Sequence, residues 1–288
     1  MASLQRIIWL ASFPKSGNTW TRVFLANYFM PPGQAPDINS LFRFTTADVR
    51  QDFFDRVNGA PFVARDLAHW LETRPKVLRA IAASKPGHHF VKTHCQVRRI
   101  KGHDLITPEV TAAAIYVMRN PFDLSLSYAR HLGEDVETII ERMANRQAMN
   151  GGDTGIFEFI GRWDDHVASW IDAPGLPLHV MRYEDMVADA ERAFRGLFAF
   201  LRTPVQDGQL RRAIRAASFE SLQKQEREKG FRERPPTMKQ FFATGRPGGW
   251  RAALDPAQVA RIRAEFLPAL ERHYPEMLEE TAEVAAGA

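Results

Sequence analysis

The sequence predicts an α/β fold, a single domain with a central, mainly parallel sheet flanked by helices on both faces. Short apolar segments with strand character alternate with amphipathic segments of helical period, as in parallel sheets with crossover helices. No glycine- or serine-rich linker, internal repeat or low-complexity tract divides the 288 residues. The 45% of hydrophobic residues suffices for one core. We therefore predict one domain over residues 1–288.

The first strand and the first helix are predicted on either side of a loop of small residues. Residues 6–12 form an apolar run, and residues 13–18 break it with proline, glycine and asparagine. A helix is expected to begin near Thr19, because apolar side chains recur from Trp20 to Tyr28 at helical spacing. A strand, a small-residue loop and a helix in this order form the arrangement that binds phosphate.

Later strands are predicted at residues 88–93, 113–118 and 178–183. Asn120 is a good helix N-cap and Pro121 suits the first helical turn, so a helix is predicted from there towards Leu132. A further amphipathic helix, with apolar residues from Ala193 to Leu201, is predicted after the last strand. Ligands of such sheets bind at the carboxyl ends of the strands.

Charge and composition restrict the kind of ligand and the cellular location that we expect for this protein. The net charge of +4 is modest, and basic residues are mixed with acidic ones, which argues against nucleic acid and suits a small polyanion. The apolar run after Arg6 is too short for a signal peptide or a membrane span, so we expect a cytoplasmic protein without a span. Cys95 is the only cysteine, which excludes an intrachain disulfide, and we expect it to be a small buried hydrophobe.

The loop at residues 12–20, Ser-Phe-Pro-Lys-Ser-Gly-Asn-Thr-Trp, is the strongest chemical signal. Gly17 lets the backbone approach an anion, and Lys15 adds a mobile positive charge. Because Lys15 precedes Gly17, the order differs from the Gly-Lys-Ser/Thr of magnesium-dependent NTPases. The candidate binding residues here are Lys15, Ser16, Gly17, Asn18, Thr19 and Trp20. An ordinary strand-to-helix turn with a solvated lysine is the alternative from this segment alone.

Residues 14–20 closely resemble the 5′-phosphosulfate loop of the cytosolic-type sulfotransferases, which use 3′-phosphoadenosine 5′-phosphosulfate (PAPS). Threonine commonly stands at the position of Asn18 in that family. Residues 116–128 resemble the family's second signature, an arginine at a strand end and a serine eight residues later. The resemblance implies a P-loop-like nucleotide-binding core, with Arg119 and Ser127 on the 3′-phosphate, where a guanidinium forms bidentate bonds. The expected product is adenosine 3′,5′-bisphosphate (PAP), and no metal is expected.

Residues 90–94 resemble the family's Lys-Thr-His segment, whose histidine takes the proton from the acceptor hydroxyl. The resemblance implies that His94 is the general base, a role that suits an imidazole with a pKa of about 6.5. It implies that Lys15 stabilises the leaving phosphate and Lys92 the sulfuryl oxygens. By the family's precedent, Ser127 also holds Lys15 away from the donor until an acceptor arrives.

The resemblance runs from Ile8 to about Trp250 and extends to weaker matches. It implies base contacts from Trp20, Tyr183, Ser218 and Phe219. Residues 241–250 resemble a C-terminal segment that closes over the 3′-phosphate, and its candidates are Arg246 and the amide of Gly248. Pro247 stands in place of a basic residue, and Cys95-Gln96 in place of Leu-Pro, which implies a weaker clamp and a reshaped acceptor side. A copy of the animal dimer motif is not found, so monomer and homodimer both stay open.

Two rival functions remain, a P-loop phosphotransferase or NTPase and a non-catalytic nucleotide-binding module. Residues 30–75, 130–161 and 224–244 are predicted to form the acceptor pocket and lid, because they lie between motifs and are rich in Phe, Pro and Arg. The aromatic side chains that hint at an apolar or aromatic acceptor are Phe53, Phe54, Phe62, Trp70, Phe231, Phe241 and Phe242. Each of them fits a place in the core equally well. The expected acceptor is a small molecule with a hydroxyl or amine, and a phenol, an alcohol, a lipid and a glycosylated natural product all stay open.

Overall fold

The structure is a computed structural model that describes residues 6–31, 33, 34, 36–151 and 156–285. Its strands are β1 (Arg6–Ser12), β2 (Thr46–Ala47), β3 (His88–Thr93), β4 (Arg99–Ile100), β5 (His103–Asp104), β6 (Thr111–Met118), β7 (Met149–Gly151), β8 (Phe157–Phe159) and β9 (Leu178–Arg182). Short 3-10 helices span Leu41–Arg43, Pro108–Val110 and Pro275–Met277.

The α-helices are α1 (Asn18–Phe29), α2 (Gln51–Asn58), α3 (Leu67–Ala83), α4 (Pro121–Leu132), α5 (Val136–Ala144), α6 (Trp163–Ile171), α7 (Tyr183–Ala188), α8 (Ala190–Phe200), α9 (Asp207–Ala216), α10 (Phe219–Lys229), α11 (Trp250–Ala253), α12 (Pro256–His273) and α13 (Leu278–Ala285). Helix α12 is interrupted at Phe266, two residues before Pro268, whose ring cannot continue a regular helix. None of the helices in the described residues is both long and apolar enough to cross a bilayer.

Five strands form the central sheet in the order β2-β3-β1-β6-β9, and every pairing in it is parallel. The predicted strands at residues 6–12, 88–93 and 113–118 are confirmed, and β6 begins two residues earlier than predicted. The fourth ends at Arg182, because Tyr183, predicted as its last residue, opens α7 instead. Glu184 and Asp185 in the first turn of α7 favour that helix start. Antiparallel pairs β4-β5 and β7-β8 lie outside the sheet.

Helices cover both faces of the sheet, as the sequence predicts. Side chains alternate along a strand, so Trp9 of β1 packs into one apolar cluster and Leu10 into the other. The first cluster receives residues from α2, α3, α4, α5, α6 and α12, and the second from α1, α7, α8, α9 and α10. Cys95 is fully buried in the first cluster, as predicted. The carboxyl ends of the strands remain open between the two layers.

The predicted helix start at Asn120 is confirmed. The Asn120 side chain accepts a hydrogen bond from the backbone N–H of Asp123 at 2.8 Å, and Pro121 occupies the first helical position. Helix α1 begins at Asn18, one residue before the predicted start. Both helices therefore point their amino termini towards the open edge of the sheet, where their unpaired N–H groups favour anions.

Candidate active site

A cavity of about 680 Å³ lies where β1, β3, β6 and β9 end. Side chains from the candidate catalytic set, Lys15, Lys92 and His94, all line it. Of the other predicted binding residues, those that line the cavity are Gly17, Asn18, Thr19, Trp20, Arg119, Ser127, Tyr183, Ser218 and Phe219. Ser16 is fully buried and does not line the cavity. Neither Arg246 nor Gly248 contributes to the lining.

The loop between β1 and α1 has a conformation that its sequence makes possible. Gly17 has a φ of +109°, and a Cβ added to it would stand 2.8 Å from a ring carbon of Tyr183, so only glycine fits. Asn18 donates from its side chain to the carbonyl of Leu10 at 2.9 Å, which ties the start of α1 back to β1. Asn18 therefore holds the shape of the loop, and Gly17 keeps its backbone accessible from the cavity.

Lys15 is buried in the cavity close to other positively charged side chains. Its ammonium group sits 3.5 Å from the centre of the Phe241 ring and has no hydrogen-bond partner within the described residues. Burial, then the charges of Arg119 and Arg130, lower the pKa of Lys15 to about 7. Two further buried polar atoms near it, Oγ of Ser16 and Nε of Arg119, also have no partner there. Such unpaired donors fit phosphate or sulfate oxygens.

Arg119 follows β6 and joins the loop to the aromatic side of the cavity. Its guanidinium lies 4.4 Å from the centre of the Tyr183 ring and donates to the carbonyl of Lys15 at 3.4 Å. The Tyr183 hydroxyl donates to the carbonyl of Gly245 at 2.9 Å, and Trp20 meets the Tyr183 ring edge-on at 5.7 Å. The structure therefore brings together the arginine and the aromatic residues that the sequence predicts for a nucleotide.

His94 is held in one tautomer. Its Nδ1 lies 2.7 Å from the carbonyl oxygen of Ser12, which can only accept, so Nδ1 carries the hydrogen and Nε2 has a free lone pair. The carbonyl of His94 accepts from Nε2 of His166 at 3.1 Å, and the Tyr116 hydroxyl donates to the other nitrogen of His166 at 2.9 Å. Burial and then the charge of Lys92 hold the pKa of His94 well below its usual value, so its imidazole is neutral.

A carboxylate beside Lys92 was not predicted from the sequence. Glu158 of β8 lies 3.4 Å from the ammonium of Lys92 and also lines the cavity. Asn150 stands opposite Glu158 in the β7-β8 pair and lines the same wall. Strands of three residues give no periodic signal, and Glu158 is 66 residues from its partner, so no local pattern reveals the contact.

Residues 241–250 are fixed at both ends across the mouth of the cavity. The carboxylate of Glu226, which is buried, accepts from the N–H groups of Phe241 and Phe242 at 2.7 and 2.9 Å. Asp123 of α4 accepts from the N–H groups of Gly248 and Trp250 at 2.6 and 3.1 Å. The amide of Gly248 is therefore engaged by Asp123, while the side chain of Arg246 is exposed.

The predicted acceptor segments contribute unequally. Of the described residues in 30–75, Ala47 lines the cavity, whereas the aromatic side chains of that segment belong to the core: Phe53, Phe54, Phe62 and Trp70. The sequence left pocket and core equally open for them, and the α2-α3 layer buries them in the core. From 130–161 the lining includes Arg130, His131, Asn150 and Glu158, and from 224–244 it includes Glu233, Met238, Phe241, Phe242, Ala243 and Thr244. Phe231 packs behind Phe241 and Phe242. Pro32, Ala35 and 152–155 lie outside the described residues.

Charged pairs, rather than a continuous aromatic wall, mark the acceptor end of the cavity. Besides the pair of Lys92 and Glu158, Arg22 and Glu233 form a pair at 2.9 Å, and both line the cavity. The described residues include no group of three or more His, Cys, Asp or Glu side chains placed to hold a metal ion. The site as a whole combines a neutral histidine with Lys15 and Arg119, two cations that form no ion pair within the described residues, an arrangement suited to transfer of an anionic group.

Comparison with known proteins identifies the family. A family model described as the sulfotransferase domain matches residues 5–273. Cytosolic sulfotransferase 15 of Arabidopsis thaliana is 26% identical over 274 residues, covering 91% of this chain and 71% of the relative. Flavonol 3-sulfotransferase of Flaveria bidentis is 23% identical over 272 residues, covering 88% and 78%.

Two solved structures share the fold. Retinol dehydratase in complex with androsterone and inactive cofactor PAP gives a TM-score of 0.66 at 17% identity, over 96% of this chain and 84% of that one. A mouse sulfotransferase complexed with PAP gives a TM-score of 0.62 at 16% identity, over 99% and 91%. Because the family model covers nearly the whole sequence, the chain belongs to the sulfotransferase domain family.

Proposed function

We propose that the protein transfers a sulfuryl group from PAPS to a hydroxyl or amine of a small-molecule acceptor, with His94 as general base. The observation that carries this proposal is the convergence of His94, Lys15 and Lys92 on one cavity. Family membership supports sulfuryl transfer, and the PAP in the two structural neighbours supports PAPS as donor.

The residues present fit this donor. The partnerless donors of Lys15, Ser16 and Arg119 match a ligand with several anionic oxygens. In our proposal the loop at residues 15–19 holds the 5′-phosphosulfate, Arg119 and Ser127 hold the 3′-phosphate, and the aromatic residues that enclose the base are Trp20, Tyr183 and Phe219. When bound, PAPS supplies the sulfuryl group and departs as PAP as its bridging S–O bond breaks.

His94 removes the acceptor proton at Nε2 while the acceptor oxygen forms its bond to sulfur. The hydrogen bond from Nδ1 to the Ser12 carbonyl keeps Nε2 unprotonated and fixes the ring. A low pKa keeps His94 in the basic form at neutral pH, although the imidazolium that results lies close to Lys92. Glu158 offsets that positive charge from the other side of Lys92.

Lys15 and Lys92 supply positive charge where negative charge develops. The ammonium of Lys15 contacts only an aromatic ring, so it is free to turn towards the oxygen of the departing phosphate. Lys92 stands at the acceptor side, next to His94, where sulfuryl oxygens are expected. Neither role needs a metal. A bound anion raises the pKa of Lys15 and therefore favours its ammonium form.

The acceptor is proposed only as a small molecule. The names of two relatives and neighbours, flavonol 3-sulfotransferase and retinol dehydratase with bound androsterone, support this class. The description of relatives as cytosolic supports a cytoplasmic location. A monomer and a homodimer both remain compatible with the proposal.

Calorimetric titration with PAP, AMP and ATP, without magnesium, tests the donor site. We expect PAP to bind at least about tenfold more tightly than AMP or ATP, a difference of about 1.4 kcal/mol, and Arg119→Ala to abolish that preference. Equal or tighter binding of ATP, or binding that requires magnesium, would favour the nucleotide-hydrolysing alternative and refute the proposal.

Transfer from PAPS to 4-nitrophenol and other simple phenols and alcohols tests the base. His94→Ala is expected to lower kcat by about 10²- to 10⁴-fold while PAP affinity changes less than about twofold. Transfer at the wild-type rate in His94→Ala would exclude His94 as general base. PAP binding without transfer by the wild-type protein to any acceptor would favour the non-catalytic binding module.

A further inference from the structure

Arg130 lines the cavity together with Arg22 and Arg119, and no motif in the sequence selects it. Arg130 of α4 is exposed at one end of the cavity lining, and it forms no ion pair with any residue that the structure describes. Surface arginines of this chain commonly have acidic partners, such as Arg195 with Glu191 at 2.7 Å. An arginine that faces a cavity without such a partner is available to a ligand anion.

The geometry of α4 directs Arg130 towards Ser127. The two residues are three positions apart, which places them on the same helix face with an axial separation of about 4.5 Å. Side chains in a helix lean towards its amino terminus, so the long side chain of Arg130 extends back over Ser127. Asp123, seven positions earlier on that face, anchors residues 248–250. This helix face therefore leads from the closing segment to Ser127 and then Arg130.

Electrostatics place Arg130 in the same positive region as Arg119 and Lys15. Burial and then the charge of Arg119 lower the pKa of Arg130, and the two arginines together act on Lys15. Three mutually repelling cations on one wall are unfavourable in an empty site and favourable around a polyanion. A phosphate monoester dianion suits two guanidinium groups, each of which presents paired N–H donors.

No cationic side chain of residues 241–250 lines the cavity, so this segment does not supply a cation for the 3′-phosphate of the donor. Arg246 is exposed and does not line the cavity, and the amide of Gly248 donates to Asp123 at 2.6 Å. The residues of the segment that do line the cavity next to these are Ala243, Thr244 and Gly245, which carry no charge. A second cation for the phosphate therefore has to come from another element.

We infer that Arg130 binds the 3′-phosphate of the donor together with Arg119 and Ser127, in place of a basic residue from residues 241–250. The inference rests on the proposed function, because it assigns one more residue to the same donor. It makes Arg130 a determinant of specificity for nucleotides that carry a 3′-phosphate.

Titration with PAP and AMP, which differ only in the 3′-phosphate, tests this assignment. We expect Arg130→Ala to weaken PAP binding by about 10- to 100-fold and AMP binding by less than about threefold, since hydrogen bonds between charged groups have that strength. Arg130→Lys keeps the charge and loses the paired donors, so it should recover part of the PAP affinity. Arg192→Ala, an exposed arginine outside the cavity, serves as the matched control and should match the wild-type protein.

Three results would overturn the inference. Unchanged PAP affinity in Arg130→Ala, or an equal loss for PAP and AMP, would show that Arg130 does not read the 3′-phosphate. Selective loss of PAP binding in Arg246→Ala, with none in Arg130→Ala, would return the role to residues 241–250. A wild-type protein that binds PAP no more tightly than AMP would refute the donor site itself, so the two failures are distinguishable.

Discussion

Lys15 occupies a position that is unfavourable for a lysine in several ways at once. Its backbone has a φ of +69°, a region that few residues other than glycine adopt. Its ammonium is enclosed beside an aromatic ring, without a hydrogen-bond partner in the described structure. Strained backbone conformations and buried unpaired charges are common at functional sites, where a bound ligand compensates for them. Lys15 therefore couples the charge of the empty cavity to the binding of an anion.

PAP binding is expected to depend on pH through Lys15. The pKa of Lys15 is about 7 in the empty site, and a bound bisphosphate favours the ammonium and raises that pKa. Affinity should therefore be highest below pH 7 and fall by up to about tenfold per pH unit above it, until the raised pKa of the complex is reached. The phosphates of PAP are already ionised there, with a second pKa of about 6.

Calorimetry at pH 8 in two buffers of different ionisation enthalpy measures the proton uptake that accompanies PAP binding. Lys15→Arg keeps a permanent charge and should show neither the uptake nor the decline in affinity. Identical apparent enthalpies in both buffers for the wild-type protein would mean that no proton is taken up and that the protonation of Lys15 does not change when PAP binds.

Gly17→Ala is expected to weaken PAP binding by at least tenfold. The added Cβ would stand 2.8 Å from the Tyr183 ring and would require a φ of +109°, so the loop or the ring has to move. Gly208→Ala in α9 is the matched control, because a Cβ there meets nothing within 4 Å and alanine favours a helix. Titration and thermal unfolding of both variants separate the two effects. Normal PAP affinity in Gly17→Ala would show that the loop adapts without loss.

At the scale of elements, long and short strands differ in how far sequence predicts them. Strands β1 and β6 have five or more apolar or β-branched positions in succession, and β3 has three in Phe90, Val91 and Thr93, so their existence and order were predictable. Strand β2, with two residues, and the β7-β8 pair, with three each, carry no period and were not predicted. Glu158 belongs to that pair, which is why its contact with Lys92 was not predicted, although residues 130–161 were predicted as part of the acceptor pocket and lid.

The motif residues Lys15, His94 and Arg119 were predictable because each lies within three residues after the end of a strand, and parallel strands bring those positions to one edge. Arg130 was not, because a lone arginine in a helix of an arginine-rich chain is indistinguishable by pattern from a solvated one. For the aromatic residues of α2 and its surroundings, core and pocket both stayed open in the sequence, because composition cannot separate a core aromatic from one that lines a pocket.

Asp123→Ala is expected to release residues 241–250 from α4. The substitution removes the acceptor of the N–H groups of Gly248 and Trp250, which costs about 1–3 kcal/mol for each group left buried and unpaired. PAP affinity should fall at least tenfold, and trypsin should cleave faster after Arg251, which directly follows the released segment. Asp255→Ala is the control, since Asp255 caps α12 and does not line the cavity. It should lower the free energy of unfolding by about 1 kcal/mol without affecting PAP binding. Unchanged cleavage and affinity in Asp123→Ala would show that the segment is held by other contacts.

At the scale of the whole molecule, a buried ion pair joins the edge of the sheet to one helical layer. Arg74 of α3 lies 2.5 Å from Asp48, which follows β2, and both side chains are 0% exposed. The same carboxylate accepts from the hydroxyl of Thr93 at 2.7 Å, one residue before His94. The guanidinium also donates to the carbonyl of Leu105 at 2.8 Å. The pair therefore connects α3, β2 and β3 one residue before His94, the proposed general base.

Arg74→Met is expected to lower the free energy of unfolding by about 3–5 kcal/mol, because it leaves the Asp48 carboxylate buried without its cation. Adding Asp48→Asn should recover part of the loss, since the double variant has no unpaired charge to bury. Urea unfolding of the two single variants and the double variant gives the coupling energy between the partners. Arg50→Ala, which breaks the exposed pair with Asp52, should cost no more than about 1 kcal/mol. A loss of that small size in Arg74→Met would mean that water or rearrangement solvates Asp48, and that the pair does not fix the position of β3 behind His94.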